Sequence, residues 1–275
     1  MPFLTDSSSF NRTLTAVGGA VSSNAGMFGS SLDNRAVVNS GVSTPDAADI
    51  YIGANASPFC VECWVEFNSV GSCTFVSQWG TTNQLAWTFG YTSPNISFNY
   101  SINGGTQAGI VAAPWAPTPG VWYHVVANRI VGNTLSLYVN GVRLTGAVVS
   151  GVVFFNSTSA LVIANNSVGN SPINGWVDEV RISNVDRYGA VASFPPPTVP
   201  FTSDANTLLL AHFGDDVAPP SVTTARLSQM ALEVLRFPTS VNAQLSQLVL
   251  EVLRPNVALA PTPTGDQVQR YNVNG

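Results

Sequence analysis

The run Thr134-Leu-Ser-Leu-Tyr-Val-Asn-Gly-Val-Arg-Leu144 decides the fold class of this chain. Successive side chains on a strand point to opposite faces. Leu135, Leu137 and Val139 therefore share one face of an extended segment, and Val142-Arg143-Leu144 returns beside it. Between them stands Asn140-Gly141, a pair that tolerates the positive φ which both central positions of a tight hairpin turn demand. The same texture extends outward to Val121–Ile130, Phe59–Phe67 and Gly175–Ser183. Before residue 219 there is no convincing amphipathic helix of ten or more residues. Short alternating strands separated by Gly, Asn and Pro turns predict an all-β chain, a two-sheet antiparallel jelly-roll sandwich over residues 1–218.

Composition agrees. Of 275 residues, 23 are Gly and 18 are Pro, and only 9% are charged. About 25% is usual for soluble domains, so the surface has to be built from Ser, Thr, Asn, Gln and Gly. The ten basic residues are all Arg, and the net charge is -5. Without a basic cluster to neutralise phosphates, a nucleic-acid groove is not expected. No apolar run approaches the ~20 residues of a membrane span. The opening Met-Pro-Phe-Leu-Thr-Asp has no basic or apolar leader pattern, so no signal peptide is expected.

From Pro219 the pattern changes. Ala225–Arg236 recurs eighteen residues later as Ala243–Arg254, with nine of twelve positions identical. Leu227, Met230, Val234 and Leu235, with Leu245, Leu248, Val252 and Leu253 in the second copy, form an apolar stripe on a helix. On a strand, Met230, Leu232 and Val234 share a face, so both conformations stay open. Two such units cannot bury their own apolar faces. The arm 219–275 is therefore expected to dock onto the sandwich, another copy or a partner.

The cysteines, Cys60, Cys63 and Cys73, suggest no disulfide framework. Cys60 and Cys63 are three apart on a strand and point to opposite faces, which reads as small buried hydrophobes.

Several segments carry a resemblance. They are Phe3-Leu-Thr-Asp-Ser-Ser-Ser9, Met27-Phe-Gly-Ser-Ser31, Phe59-Cys-Val-Glu-Cys-Trp-Val65 and Gly120-Val-Trp-Tyr-His-Val125. Leu137-Tyr-Val-Asn-Gly141, Asn174–Ser183 and Phe201–Phe213 follow in order. Together they resemble the concanavalin A-like lectin/glucanase superfamily, specifically laminin-G-like modules frequent in bacteriophage virion proteins. The resemblance implies a jelly roll and contexts from glycan binding to virion architecture. Such modules usually begin with a Leu-Leu-Leu-His-Phe-like strand. Here that strand is Leu208–Phe213, at the far end, and closure within the chain is expected.

Glucanases of the superfamily use two strand carboxylates, which draws attention to Glu62 and Glu66. Residues four apart on an unbroken strand lie about 13 Å apart. Retaining hydrolysis needs about 5–5.5 Å and inverting about 6.5–9.5 Å, so no catalytic residue is assigned and no enzyme is expected. His124 lies in a Trp-Tyr-His that looks structural in the family, and a His metal cluster is not expected from two isolated histidines. Asp178 is expected to share a face with Trp176, Val180 and Ile182. Some relatives bind Ca²⁺ through acidic residues, which makes Asp178 and Asp6 the metal candidates. The alternative is an Asp178 that accepts loop amides, with Glu179 and Arg181 paired outside. No cofactor is otherwise expected. Sugar stacking would need exposed aromatics, and Trp79, Trp87, Tyr91 and Trp115 near turns are the carbohydrate-binding candidates, with core or interface roles as the alternative.

The reading is a non-enzymatic virion surface protein, a capsid decoration or a fibre or tail component, made in the host cytoplasm. Its expected partners are other virion proteins and copies of itself. The alternative is an adhesin that attaches the virion to host surface glycans, and the remote one is a glycan hydrolase.

Overall fold

The computed structural model describes residues 3–214, apart from 36–38, 82, 132–133 and 150. The repeat residues Leu227, Met230, Val234, Leu235, Leu245, Leu248, Val252 and Leu253, and the boundary drawn after residue 218, lie outside the described residues.

Two antiparallel sheets face each other. The seven-stranded sheet runs β1 (Thr15–Val17), β4 (Gly41–Thr44), β13 (Leu161–Ile163), β6 (Cys73–Trp79), β7 (Leu85–Thr92), β8 (Asn95–Gly104) and β9 (Gly109–Pro114). The eight-stranded sheet runs β12 (Val142–Val148), β11 (Thr134–Val139), β10 (Trp122–Arg129), β5 (Phe59–Phe67), β14 (Gly175–Ser183), β3 (Gly29–Asp33) and β2 (Val21–Gly26). In that sheet β15 (Thr207–Ala211) also pairs with β14. The strand at 208–213 thus closes onto its own chain, and Asp6 bridges to Ala211 from the other end. Among the described residues no helix is long and apolar enough to cross a membrane.

The turn that set the fold class forms as its residues require. Val139 pairs with Val142, and Asn140 and Gly141 both hold positive φ, 48° and 73°. Leu135, Leu137 and Val139 enter the core between the sheets. From β5, Phe59, Val61, Cys63, Val65 and Phe67 do the same. Phe67, Phe75, Phe89 and Phe98 fill the middle, and Trp87 stacks flat on Phe98 at 5.8 Å. Rings of this size bury large areas at little conformational cost, which suits a wide sandwich core.

Cys60 and Cys63 do lie on opposite sides of the sheet, and all three cysteines are free and buried. Burial raises the Cys73 thiol to about 12.

One strand departs from plain alternation. Against β5, Asp178 pairs with Trp64 but Arg181 pairs with Glu62, so β14 holds one extra residue. Glu179 takes that bulge at φ 51°. The extra residue inverts the facing: Val177, Val180 and Ile182 all point into the core. The expected shared face of Asp178 with Val180 and Ile182 is corrected, because the bulge puts Asp178 on the outer side with Trp176 and Arg181.

Candidate functional site

The outer face of the eight-stranded sheet carries Cys60, Glu62, Trp64 and Glu66 from β5 and His124, Val126 and Asn128 from β10, facing away from the core. Residues 184–206 run over this face as a strap. Tyr188 and Phe194 stack on each other at 3.8 Å above Tyr138, and Phe201 packs with Trp64, Phe28 and Leu210.

Beneath the strap lies a charged cluster. Glu62 is fully buried. Its Oε1 accepts from Arg181 Nε at 2.8 Å; its Oε2 accepts from Tyr188 Oη at 2.5 Å and from His124 Nε2 at 3.1 Å. An ionised carboxylate only accepts, so Nε2 of His124 carries the proton. Burial alone would push Glu62 up. The His124 hydrogen bond and the Arg181 charge outweigh it and hold the carboxyl below its ordinary value. Burial and the Glu62 charge together push the Tyr188 hydroxyl far up, so it stays a donor.

The strap is also tied at its ends. Arg187 pairs with Asp204 at 2.6 Å and donates to Ser183 at 2.9 Å. Asn128 donates to Asp186 at 2.8 Å, and Glu179 Oε2 accepts the Phe201 amide at 2.6 Å. Glu179 Oε1 meets His212 Nδ1, also at 2.6 Å. The expected outside pairing of Glu179 with Arg181 is therefore corrected: the bulge turns Glu179 towards His212, while Arg181 reaches Glu62.

Glu62 and Glu66 stay on one face of an unbroken strand. β5 pairs with β10 over eight residues without a register shift, so the two residues keep the roughly 13 Å backbone spacing of positions four apart. Trp64 stands between them.

The two metal candidates accept different sets of backbone amides. Asp6 accepts the amides of Ser8, Arg12 and Leu210. Asp178 accepts those of Phe28 and Glu179, the loop-amide arrangement. Burial, then the neighbouring Glu179 charge, raises Asp178 to about 8 against these amides. Among the described residues no group of three or more His, Cys, Asp or Glu is placed to hold a metal ion.

The four aromatic candidates divide. Trp87 and Tyr91 are corrected to core residues, at 1% and 4% exposure. Trp115 packs edge-on against Tyr91 and Phe67 and belongs to the rim of the core. Trp79 alone of the four combines partial exposure with the lining of a surface hollow.

That hollow, about 170 Å³, lies on the outer face of the seven-stranded sheet over β6, β7 and β8. Thr74, Thr88, Ser97 and Asn99 point into it, joined by Ser171 and Gln107 from loops. Gly90 is its floor: a Cβ there would stand 2.2 Å from the Cys73 carbonyl oxygen on β6. A second hollow, about 280 Å³, opens beside it over β1, β4 and β13, and Asn166 lines both. No charged side chain lines either one.

Sequence reasoning singled out Glu62, His124 and Trp79 but not the groups that surround them. Arg181 was read as the partner of Glu179, and Tyr188 gave no signal. Thr88 and Asn99 were visible as polar positions alternating with Phe89 and Phe98.

Comparison with known proteins places this geometry. Residues 34–188 match the family described as the concanavalin A-like lectin/glucanases superfamily. The botulinum neurotoxin serotype G binding domain superposes with a TM-score of 0.51 at 10% identity, over 68% of this chain and 48% of that one. The serotype D/C binding domain gives 0.51 at 13%, over 67% and 49%. A structure of botulinum neurotoxin type C, whose cell entry is described as dependent on two ganglioside molecules, gives 0.50 at 13%, over 65% and 44%. The chain thus spans about half the length of these structures, and at such identities the likeness shows the fold alone. A search of curated proteins finds no match.

Proposed function

This chain belongs to the concanavalin A-like lectin/glucanase superfamily, and from that premise we propose that it acts as a non-enzymatic surface protein of a bacteriophage virion, a capsid decoration, fibre or tail component. One observation carries the non-enzymatic part. Glu62, the strand carboxylate that invites comparison with a glucanase, is fully buried and engaged by Arg181, Tyr188 and His124. A nucleophile or acid has to be reachable by substrate, and this one is fully buried with both oxygens already engaged. Sugar release that disappears in Glu62→Gln would restore the hydrolase reading.

The virion setting is supported by the order of motifs along residues 1–217 and by the apolar repeats at 225–236 and 243–254. Fold by itself does not decide function. The test is deletion of residues 220–275: loss of oligomerisation and of particle incorporation is expected, and unchanged occupancy on the particle would sink the proposal.

A second reading has its own observation. The neutral hollow beside Trp79 supports contact with host glycans, the adhesin function. Its test is a glycan array, on which at least one glycan should be retained.

A further inference from the structure

We propose that the hollow over β6, β7 and β8 is the glycan site and that its ligand class is uncharged oligosaccharide. This rests on the glycan-contact reading above and goes further by naming the place and the chemistry. Three independent features of the hollow agree.

The first is unspent hydrogen-bonding capacity. Asn99 faces the hollow, with Gln107 at its rim, and neither side-chain amide makes a hydrogen bond among the described residues. Each amide offers two donors and an acceptor, the set that matches vicinal sugar hydroxyls, which both give and take. Thr88 and Ser171 add hydroxyls that are already oriented by Thr74, at 3.4 and 3.1 Å.

The second is an aromatic ring with no ring to stack on. Trp87, Tyr91 and Trp115 are all spent on core contacts with Phe98, Phe67 or each other. Trp79 makes no aromatic contact among the described residues and lines the hollow while partly exposed. A ring with an apolar face beside polar groups fits the C–H face of a sugar.

The third is shape and charge. Gly90 keeps the floor flat, and the volume of about 170 Å³ lies below the ~300 Å³ of enclosed small-molecule pockets. It suits one or two sugar residues resting on the sheet. The lining holds no Arg, Lys or His to pair with a carboxylate or sulfate. An acidic sugar would lose hydration there without compensation.

The experiment uses the full chain on an array of neutral oligosaccharides, from one to six residues, beside sialylated, uronic-acid and sulfated ones. Retention of neutral members is expected. Trp79→Ala and Asn99→Ala should each weaken the best of them about tenfold or more, the equivalent of ~1.4 kcal/mol, while far-ultraviolet dichroism and the cooperativity of thermal unfolding stay unchanged. Asn99, being partly exposed, is the variant least liable to disturb folding. Neutral binding that survives both substitutions overturns this site and leaves the glycan-contact reading intact. Preference for acidic glycans overturns the neutral class. An array with no retained glycan sinks the glycan-contact reading itself and this inference with it.

Discussion

The two outer faces of the sandwich are opposites. Over the eight-stranded sheet, residues 184–206 bury Glu62, Glu179, His124 and His212 under Tyr188, Phe194 and Phe201. Over β6, β7 and β8 of the seven-stranded sheet, Thr88, Asn99 and Trp79 carry no charge and stay accessible. Charge that is buried must be paired and hydrogen-bonded, and once paired it becomes part of the scaffold. Neutral hydroxyls and amides can remain at a surface without self-pairing, so they are the groups left to meet a ligand. The lesson is that the chemically most provocative residues of this chain hold its structure, and the mild ones are available for binding.

The sharpest way to break this contrast is to remove a sealed charge. Glu62→Ala leaves Arg181, Tyr188 and His124 without their common acceptor, and a loss of about 3–5 kcal/mol is expected from breaking a buried pair. Urea titration measures it, and a loss below about 1 kcal/mol would mean that the cluster is slack.

Next is the pH dependence of the same face. Asp178 is raised to about 8 from an ordinary value near 3.8. The folded chain then holds a proton that the unfolded chain releases between those values. The stability from this group is fully present below about pH 4 and is lost as pH rises to about 8. Glu62, held below its ordinary 4.5, has the opposite sign: its contribution is present above that value and lost as pH falls through the folded pKa. Asp178→Asn should therefore lessen the decline in urea midpoint between pH 5 and 8. Identical slopes for variant and wild type would refute the assignment.

On the open face the effects shrink. Gly90→Ala must push β6 and β7 apart against a 2.2 Å approach, at about 1–3 kcal/mol, the range for overpacking. A calorimetric scan reads it as a lowered melting temperature. Ile110, on β9 of the same sheet, is 52% exposed. Ile110→Thr should change stability by less than about 0.5 kcal/mol, as for a surface site without special contacts. A larger loss would show that this face is covered by something.

Much of this was legible beforehand. The hairpin at Asn140-Gly141, the inward faces of β5 and β11 and the opposed cysteines follow from period-two alternation, which is local. The candidate sites were less legible. Trp87 and Trp79 look alike in a sequence, both aromatic and both near turns. Only the register of β7 against β8 sends Trp87 onto Phe98. Likewise Glu179 and Arg181 are two apart and opposite in charge, an evident outside pair until the bulge at Glu179 sends them to different partners.

The amino-acid order by itself determined an all-β chain, the phases of regular strands such as β5 and β11, and a low surface charge, since each depends on neighbours a few residues away. Tertiary structure alone decided that residues 184–206 close over one face, that Glu62 is spent on Arg181 and Tyr188, 119 and 126 residues away, and that a hollow is left beside Trp79. Contacts at such separations are set by how whole sheets register and bulge, and no short window of sequence encodes that.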